Sequence, residues 1–256
     1  MKQFFIIFYT LFVFVIASAL TFLILVPSII YMILPVKWSM KLAGRHWQIF
    51  TWILFRCLLW SKILKIDQRS KDYKKRLMGP GLIICNHMSS WDIPFYLHYF
   101  SCAPIMKKEI LKVPIIGLIA IANGSIPLNR NSPHSRKLVV EAVKKRLNDG
   151  VPVQFYPEST RNKEWKLGPK PYDQIKKTLL LLAFEMNLPV IPVTFYGTPH
   201  LMTKKAQLKW REQLGIYIGK EVMPKDFTDE ESFSQFCWQQ VIEGHKVLEN
   251  KLQMLN

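Results

Sequence analysis

A long uncharged apolar segment opens the chain and constrains its fold more than any other feature. The residues from Phe4 to Pro35 include no Asp, Glu, Lys, Arg or His. A helix crosses a bilayer with about 20 apolar residues, and Pro27 interrupts this longer run. The pattern therefore predicts either one tilted span or two helices that enter the membrane and return. A cleaved signal peptide is the alternative, since Lys2 and the small residues Ala17–Ala19 resemble one, but the apolar character continues well beyond them and favours retention.

Basic residues surround this segment unequally. Only Lys2 precedes it, whereas four cations follow it closely: Lys37, Lys41, Arg45 and Arg56. The positive-inside rule then predicts that the remaining chain faces the cytoplasm, and we expect a protein of the inner (cytoplasmic) membrane. A second apolar helix is predicted from His46 to Ile66. Its tryptophans and basic residues suit a membrane interface, although an ordinary helix packed on the domain fits the pattern equally well.

The charge balance indicates the kind of partner. The net charge is +17 and the pI is about 9.7, which favours anionic partners. We find no zinc-finger spacing and no aromatic RNA-binding signature, so nucleic acid is not predicted as a partner. The apolar N-terminus favours anionic membrane lipids instead. The four cysteines show no metal-binding pair spacing, and no metal site is predicted.

Beyond residue 66 the pattern changes to short apolar strands alternating with helices. We therefore divide the chain into membrane-embedded or interfacial helices over 1–66 and an α/β domain over 67–256. The predicted strands are Leu82–Cys85, Pro104–Met106, Ile126–Leu128, Val151–Tyr156, Val190–Phe195 and Ile216–Ile218. The predicted amphipathic helices are Ser135–Asn148, Gln174–Asn187 and Glu231–Leu252. This alternation predicts a single α/β domain with a mainly parallel sheet flanked by helices.

The most informative motif is Asn86-His87-Met88-Ser89-Ser90-Trp91-Asp92, which lies between a strand and a helix. A turn there can bring the Asp92 carboxylate to one nitrogen of His87, leaving the other nitrogen free to take a proton. This is the His–Asp half of a catalytic triad, in which a substrate hydroxyl supplies the nucleophile. The alternative is that Asp92 only caps the helix and that His87 is an ordinary loop residue.

Charged residues also follow two other predicted strands. Arg161 and Glu158 come directly after the strand that ends at Tyr156, and Arg130 follows the one that ends at Leu128. Open α/β sheets bind ligands at the carboxyl ends of their strands, and a guanidinium can hold a phosphate bidentately. A structural ion pair between Glu158 and Arg161 is the alternative.

In order and spacing, these segments together resemble the glycerolipid acyltransferase family, which includes lysophosphatidic acid acyltransferase. The family's His-x4-Asp block matches His87 and Asp92, its second block ends at Arg130, and its Phe-Pro-Glu-Gly-Thr-Arg block matches Tyr156 to Arg161. A Val-Pro-Val-like strand matches Val190 to Val193, and a Lys-Lys-Glu-Leu-like stretch begins at Lys107. Ser159 departs from the family by replacing the usual glycine, and it would be strained there if the position requires a positive φ.

The resemblance implies a membrane-bound O-acyltransferase that moves a fatty acyl group from acyl-CoA or acyl-carrier protein to a lysophospholipid, foremost lysophosphatidic acid. It implies that His87 is the general base, that Asp92 orients it, and that the thioester is a substrate, so no bound cofactor is expected. The acceptor-binding residues that it implies are Lys107, Arg130, Glu158, Ser159, Thr160 and Arg161. The alternatives are another lipid acceptor, such as another lysophospholipid or an aminolipid, and a non-catalytic membrane lipid-binding protein.

Overall fold

The N-terminal segment forms one continuous helix. The computed structural model describes residues 2–31, 33–75, 80–113, 116–164 and 167–254. Helix α1 (Lys2–Tyr31) runs through Pro27 without a break, so the segment is one helix and not two. Of the helices in the described ranges, it is the one whose length and composition would allow it to cross a membrane.

One side of α1 contacts the rest of the protein, and the other side is exposed. The Tyr9 hydroxyl donates a hydrogen bond of 2.6 Å to the Leu58 carbonyl, and the Leu208 N–H donates to the Thr10 hydroxyl at 3.1 Å. Val13 is buried in the core of the domain, whereas Phe8 is exposed on the opposite side. The helix is therefore anchored to the domain along one stripe, and an apolar face is left uncovered.

The second predicted helix is only partly correct. Helix α2 (Val36–Trp52) continues as a short π-helix over Ile53–Leu58, but residues 62–66 are not helical. They belong to strand β1 (Lys62–Asp67), which pairs in parallel with strand β7 (Gln213–Ile218). The helical prediction was wrong here because strand pairing supplies the backbone hydrogen bonds that the local pattern assigned to a helix. The predicted domain division at residue 66 consequently falls inside a strand of the sheet.

All six predicted strands are present, and the structure adds β1. The remaining strands are β2 (Leu82–Cys85), β3 (Ala103–Lys107), β4 (Ile126–Leu128), β5 (Val153–Phe155) and β6 (Val190–Tyr196). The order in the sheet is β1-β7-β6-β2-β5-β3-β4. Strands β2 to β6 are mutually parallel, and β7 is antiparallel to β6. The predicted α/β fold with a mainly parallel sheet is thus confirmed.

The remaining α-helices are α3 (Lys71–Lys75), α4 (Asp92–Leu97), α5 (Ile116–Ala122), α6 (Pro133–Asn148), α7 (Thr178–Glu185) and α8 (Glu230–Gln253). The predicted helix over Gln174–Asn187 is shorter than expected, because a 3₁₀ turn at Tyr172–Gln174 precedes it. Helices α3 and α5 were not predicted.

The sheet separates two apolar cores. Side chains such as Phe55, Phe95 and Phe195 form the core under α1, α2 and α4, while Val143 and Trp238 belong to the core under α6, α7 and α8. Helix α5 packs against α1 and α2, on the first side. Large exposed apolar residues also concentrate on that side, in α1 and on the outer surfaces of α2 and α5. The two faces of the sheet therefore present very different surfaces to the surroundings.

Candidate active site

The loop after β2 is fixed to the neighbouring strand by a buried asparagine. Asn86 is 1% exposed, and its side-chain amide donates to the Phe195 carbonyl at 3.0 Å while its oxygen accepts from the Phe195 N–H at 2.8 Å. This pair of bonds joins the end of β2 to β6. His87, the next residue, therefore starts from a backbone position that is held rigidly at the carboxyl edge of the sheet.

His87 and Asp92 form the pair that the sequence predicts. The Nδ1 atom of His87 lies 2.8 Å from Oδ2 of Asp92, whose side chain is fully buried, whereas the histidine side chain is 15% exposed. An ionised carboxylate can only accept hydrogen bonds, so Nδ1 carries the proton of the neutral imidazole. The Nε2 atom is then unprotonated and able to receive a proton from a bound hydroxyl.

The contacts of Asp92 show that it does not simply cap a helix. The residue preceding α4 is Trp91, and no side chain of the described residues caps this helix. Instead, Oδ2 accepts from the N–H groups of Met88 and Ser89 at 2.7 and 2.9 Å, and Oδ1 accepts from the Thr198 hydroxyl. These donors hold the carboxylate towards His87 and stabilise its charge in a buried position.

Glu158 supports the loop that carries His87. Its carboxylate, 2% exposed, accepts from the backbone N–H of His87 through one oxygen and from that of Lys170 at 2.9 Å through the other. Burial raises the pKa of the Glu158 carboxyl above its usual value, although these hydrogen bonds act in the opposite direction. The nearby Asn162 N–H donates to the His87 carbonyl at 2.7 Å. The loop after β5 thus positions the loop after β2.

The imidazole ring of His87 stacks on Tyr156. The two ring centroids are 4.1 Å apart, with an angle of 19° between the planes. Burial raises the pKa of the Tyr156 hydroxyl well above its usual value, and this hydroxyl has no hydrogen-bond partner among the described residues. Tyr156 therefore covers one face of the histidine and keeps its own proton.

A cavity of about 450 Å³ opens beside the pair. Its wall is mostly apolar and comes from α4, β3 and α5, with residues such as Ile93, Ile105 and Ile119. His87 and Tyr156 lie on its lining together with three cations. A cavity of this size with a few convergent polar groups is typical of a small-molecule site.

The three cations are Lys107, Arg130 and Arg161. The sequence placed the two arginines after predicted strands, and the family resemblance added Lys107. Lys107 is the last residue of β3 and pairs in register with Leu128 of β4, which explains why Arg130 lies near it. Arg161 donates to the Ser90 hydroxyl at 3.1 Å. The structure forms no ion pair between Arg161 and Glu158, both of which are described residues, so the structural alternative for these two side chains is wrong. Of the three cations, Lys107 alone forms an ion pair with a carboxylate of the described residues, Glu109 at 3.8 Å.

The remaining predicted site residues are placed differently. Thr160 lines the cavity, but Ser159 lines an adjacent one, and Glu158 is on neither lining. The φ angle of Ser159 is +65°, in the left-handed region that favours glycine. This position therefore has the positive φ at which a serine was expected to be strained, a conformation that costs about 1–2 kcal/mol for an L-residue.

Sequence reasoning missed three residues that support the site: Asn86, Asn162 and Thr198. Each is buried and polar. Asn86 joins the start of the His87 loop to β6, Asn162 donates to the His87 carbonyl, and Thr198 donates to Asp92. Asn86 could have been found, because a polar residue that ends a buried strand requires partners. Asn162 and Thr198 gave no comparable signal.

The fold and this site define a class of protein: an α/β domain with an apolar helical face, in which a His–Asp pair can act as a general base beside a cation-lined cavity. The acyltransferase family model matches residues 65–196. This chain therefore belongs to the acyltransferase family.

Individual relatives agree with this assignment. The chain is 36% identical over 128 residues to the chloroplastic 1-acyl-sn-glycerol-3-phosphate acyltransferase BAT2 of Brassica napus, a match that covers 48% of this chain and 35% of the relative. It is 25% identical over 139 residues to the 1-acyl-sn-glycerol-3-phosphate acyltransferase of Borreliella burgdorferi, covering 54% and 53%. The matched part thus spans about a third to a half of these relatives.

A solved structure shares the whole fold. The crystal structure of the 1-acyl-sn-glycerophosphate acyltransferase PlsC from Thermotoga maritima superposes with a TM-score of 0.77, covering 97% of this chain and 98% of that one. The two sequences are 22% identical, so this likeness concerns the fold.

Proposed function

We propose that this protein is a membrane-bound enzyme that transfers a fatty acyl group from acyl-CoA or acyl-carrier protein to the free hydroxyl of lysophosphatidic acid. One observation carries the proposal. His87, oriented by Asp92, lines a cavity that combines apolar walls with three cations. A lysophosphatidic acid has the groups that match them: an apolar chain for the walls, a hydroxyl for His87 and a phosphate for the cations. The names of the curated relatives support this acceptor.

The proposed reaction needs one base and no protein nucleophile. Nε2 of His87 accepts the proton of the acceptor hydroxyl as its oxygen attacks the thioester carbonyl. The imidazolium that forms is stabilised by the Asp92 carboxylate, 2.8 Å from Nδ1. The tetrahedral intermediate then collapses, the C–S bond breaks, and His87 returns its proton to the departing thiolate. The products are the acylated lipid and the free thiol.

The cations are proposed to hold the acceptor phosphate. Arg130 and Arg161 offer guanidinium groups that can bind it bidentately, and Lys107 adds a point charge. The Thr160 hydroxyl lies on the same lining and can donate to a phosphate oxygen. Glu158 contributes indirectly, since its carboxylate holds the backbone of His87.

The same proposal includes the membrane. The exposed apolar side chains of α1, α2 and α5 would lie in the inner membrane, and the basic surface would contact anionic lipids on its cytoplasmic side. Helix α5 contributes Ile116 and Ile119 to the cavity wall, while Leu118 and Ile121 are exposed. A lipid acceptor would then reach His87 without leaving an apolar environment.

Purified protein in detergent or lipid nanodiscs tests the proposal. We expect it to transfer radiolabelled acyl chains from acyl-CoA or acyl-carrier protein to lysophosphatidic acid, and to transfer few to lysophospholipids with other headgroups. His87→Ala is the matched control and should be inactive with unchanged thermal unfolding. A preference for another lysophospholipid or an aminolipid would reassign the acceptor. Lipid binding without turnover by the wild type would instead indicate a binding protein.

A further inference from the structure

A second cavity, of about 420 Å³, lies on the other face of the sheet. Its apolar wall comes from the core under α6 and α7, with residues such as Val139, Phe155 and Leu179. It shares Ile105, Arg130 and Tyr156 with the cavity that contains His87. The two cavities therefore meet beside the candidate base, one on the side of the apolar helices and the other on the opposite side.

The second cavity carries cations and hydroxyls, and none of the described residues that line it is acidic. Arg136 comes from the first turn of α6, Lys176 precedes α7, and Arg130 lies at the boundary with the first cavity. None of these three is in an ion pair with a carboxylate of the described chain. Ser159 and Thr178 add hydroxyl groups. The arrangement has the chemistry of a site for a phosphorylated group attached to an uncharged stem.

The proposed reaction requires such a ligand. The acceptor is a membrane lipid, whereas the donor is a thioester whose carrier is soluble in water and bears phosphate. This carrier must approach His87 from the side away from the exposed apolar helices, and the second cavity lies on that side. Tyr156 and Arg130 border both cavities, and Tyr156 stacks on His87, so a carrier in the second cavity would end beside the cavity that contains the base.

We infer that the second cavity binds the phosphorylated pantetheine arm of the acyl donor, with Arg136 and Lys176 on its phosphate. The inference rests on the proposed function, since it assigns a position to the donor of that reaction. It also assigns separate cations to the two substrates. Arg136 and Lys176 serve the donor, while Lys107 and Arg161 line only the first cavity.

Direct binding of CoA to the full-length protein in nanodiscs tests this inference without requiring turnover. We expect Arg136→Gln and Lys176→Gln each to raise the dissociation constant of CoA about tenfold, as expected for the loss of one charge-assisted hydrogen bond. The acyl-CoA KM should rise with it while the lysophosphatidic acid KM stays unchanged. Lys145→Gln removes the same charge from an exposed position of α6 outside the cavity, and it should bind CoA like the wild type.

Further ligands distinguish the sources of the phosphate. If 4′-phosphopantetheine and holo acyl-carrier protein lose affinity in both variants, the cavity holds the phosphate that all these donors share. If only CoA loses affinity, the nucleotide part of CoA occupies the cavity and the inference is overturned. Variants that are folded and active but bind every ligand like the wild type would also overturn it. Charge-dependent CoA binding by a wild type that acylates no lipid would contradict the proposed function alone.

Discussion

Replacing Asp92 by asparagine removes the charge of the His–Asp pair, and the surrounding donors dictate how the new amide must lie. The N–H groups of Met88 and Ser89 donate to Oδ2 at 2.7 and 2.9 Å. Neither can face an NH₂ group, so the amide oxygen takes the Oδ2 position. The NH₂ group then takes the Oδ1 position, where the Thr198 hydroxyl can turn from donor to acceptor.

This orientation sets the size of the effect. The oxygen at the Oδ2 position still accepts from Nδ1 of His87, so Nε2 stays free to take a proton. The variant loses only the charged character of the bond, and charge-assisted hydrogen bonds are worth about 1.5–3 kcal/mol against about 1 kcal/mol for neutral ones. We expect kcat for Asp92→Asn to fall about 2- to 30-fold, equivalent to the difference of about 0.5–2 kcal/mol. In the serine proteases the same change forces the wrong tautomer and costs about 10⁴-fold.

Initial rates of acyl transfer at saturating acceptor and donor measure this effect. His87→Ala belongs in the same series, because it removes the base and should eliminate nearly all turnover. Thermal unfolding of both variants checks that the fold is intact. A fall of about 10⁴-fold for Asp92→Asn would refute the reasoning, since it would show that the Met88 and Ser89 amides do not fix the orientation of the new side chain.

Four further substitutions test separate parts of the structure. Arg161→Lys should raise the acceptor KM about 10- to 100-fold and leave the thioester KM unchanged, because lysine lacks the guanidinium fork; equal KM values for wild type and variant would exclude a phosphate contact. Ser159→Gly should stabilise the protein by about 1 kcal/mol by relieving a positive φ, with acyl transfer retained, and a lower melting temperature would argue against strain. Glu158→Gln should destabilise the protein by about 1–3 kcal/mol, since the new NH₂ group must face the backbone N–H of His87 or Lys170; an unchanged free energy of unfolding in denaturant would contradict this. Gln154→Leu should raise stability by about 1 kcal/mol, because both amide atoms are buried and have no hydrogen-bond partner among the described residues; lower stability would show that a hydrogen bond with the Cys85 thiol stabilises the amide.

The regular part of the fold could be predicted because its signals are local. Short apolar runs predicted β2 and β4 with the bounds that the structure has. Arg130 and Arg161 follow strands, and the carboxyl ends of parallel strands meet at the edge of the sheet where His87 also lies. Strand β1 could not be found in this way. Its sequence, Lys62–Asp67, continues an apolar helical stretch, and only pairing with β7, far along the chain, makes it a strand.

The candidate site likewise has a part that the sequence predicts and a part that it does not. His87 and Asp92 are separated by a short turn, so their contact follows from sequence spacing. The role of Glu158 does not, because it depends on which atoms of a distant loop its oxygens meet. The sequence suggested a contact with substrate or with Arg161, whereas the structure shows hydrogen bonds to backbone N–H groups. The residue type alone indicated that Glu158 accepts hydrogen bonds, but only the tertiary structure could identify the N–H groups that donate to it.

The surroundings of His87 also bear on how the proposed acyl transfer can compete with hydrolysis of the thioester. A base that deprotonates a lipid hydroxyl can deprotonate water as well, so the base must be shielded. The Tyr156 ring covers one face of the imidazole at 4.1 Å, Asp92 is buried on the Nδ1 side, and most of the cavity wall is apolar. The histidine side chain is nevertheless 15% exposed, which leaves an opening towards the cavity.

An acyl chain and a lysophospholipid chain that fill the cavity would displace water from this opening, so the hydroxyl that reaches Nε2 would be that of the lipid. The apolar wall would then both bind the substrate and select the nucleophile.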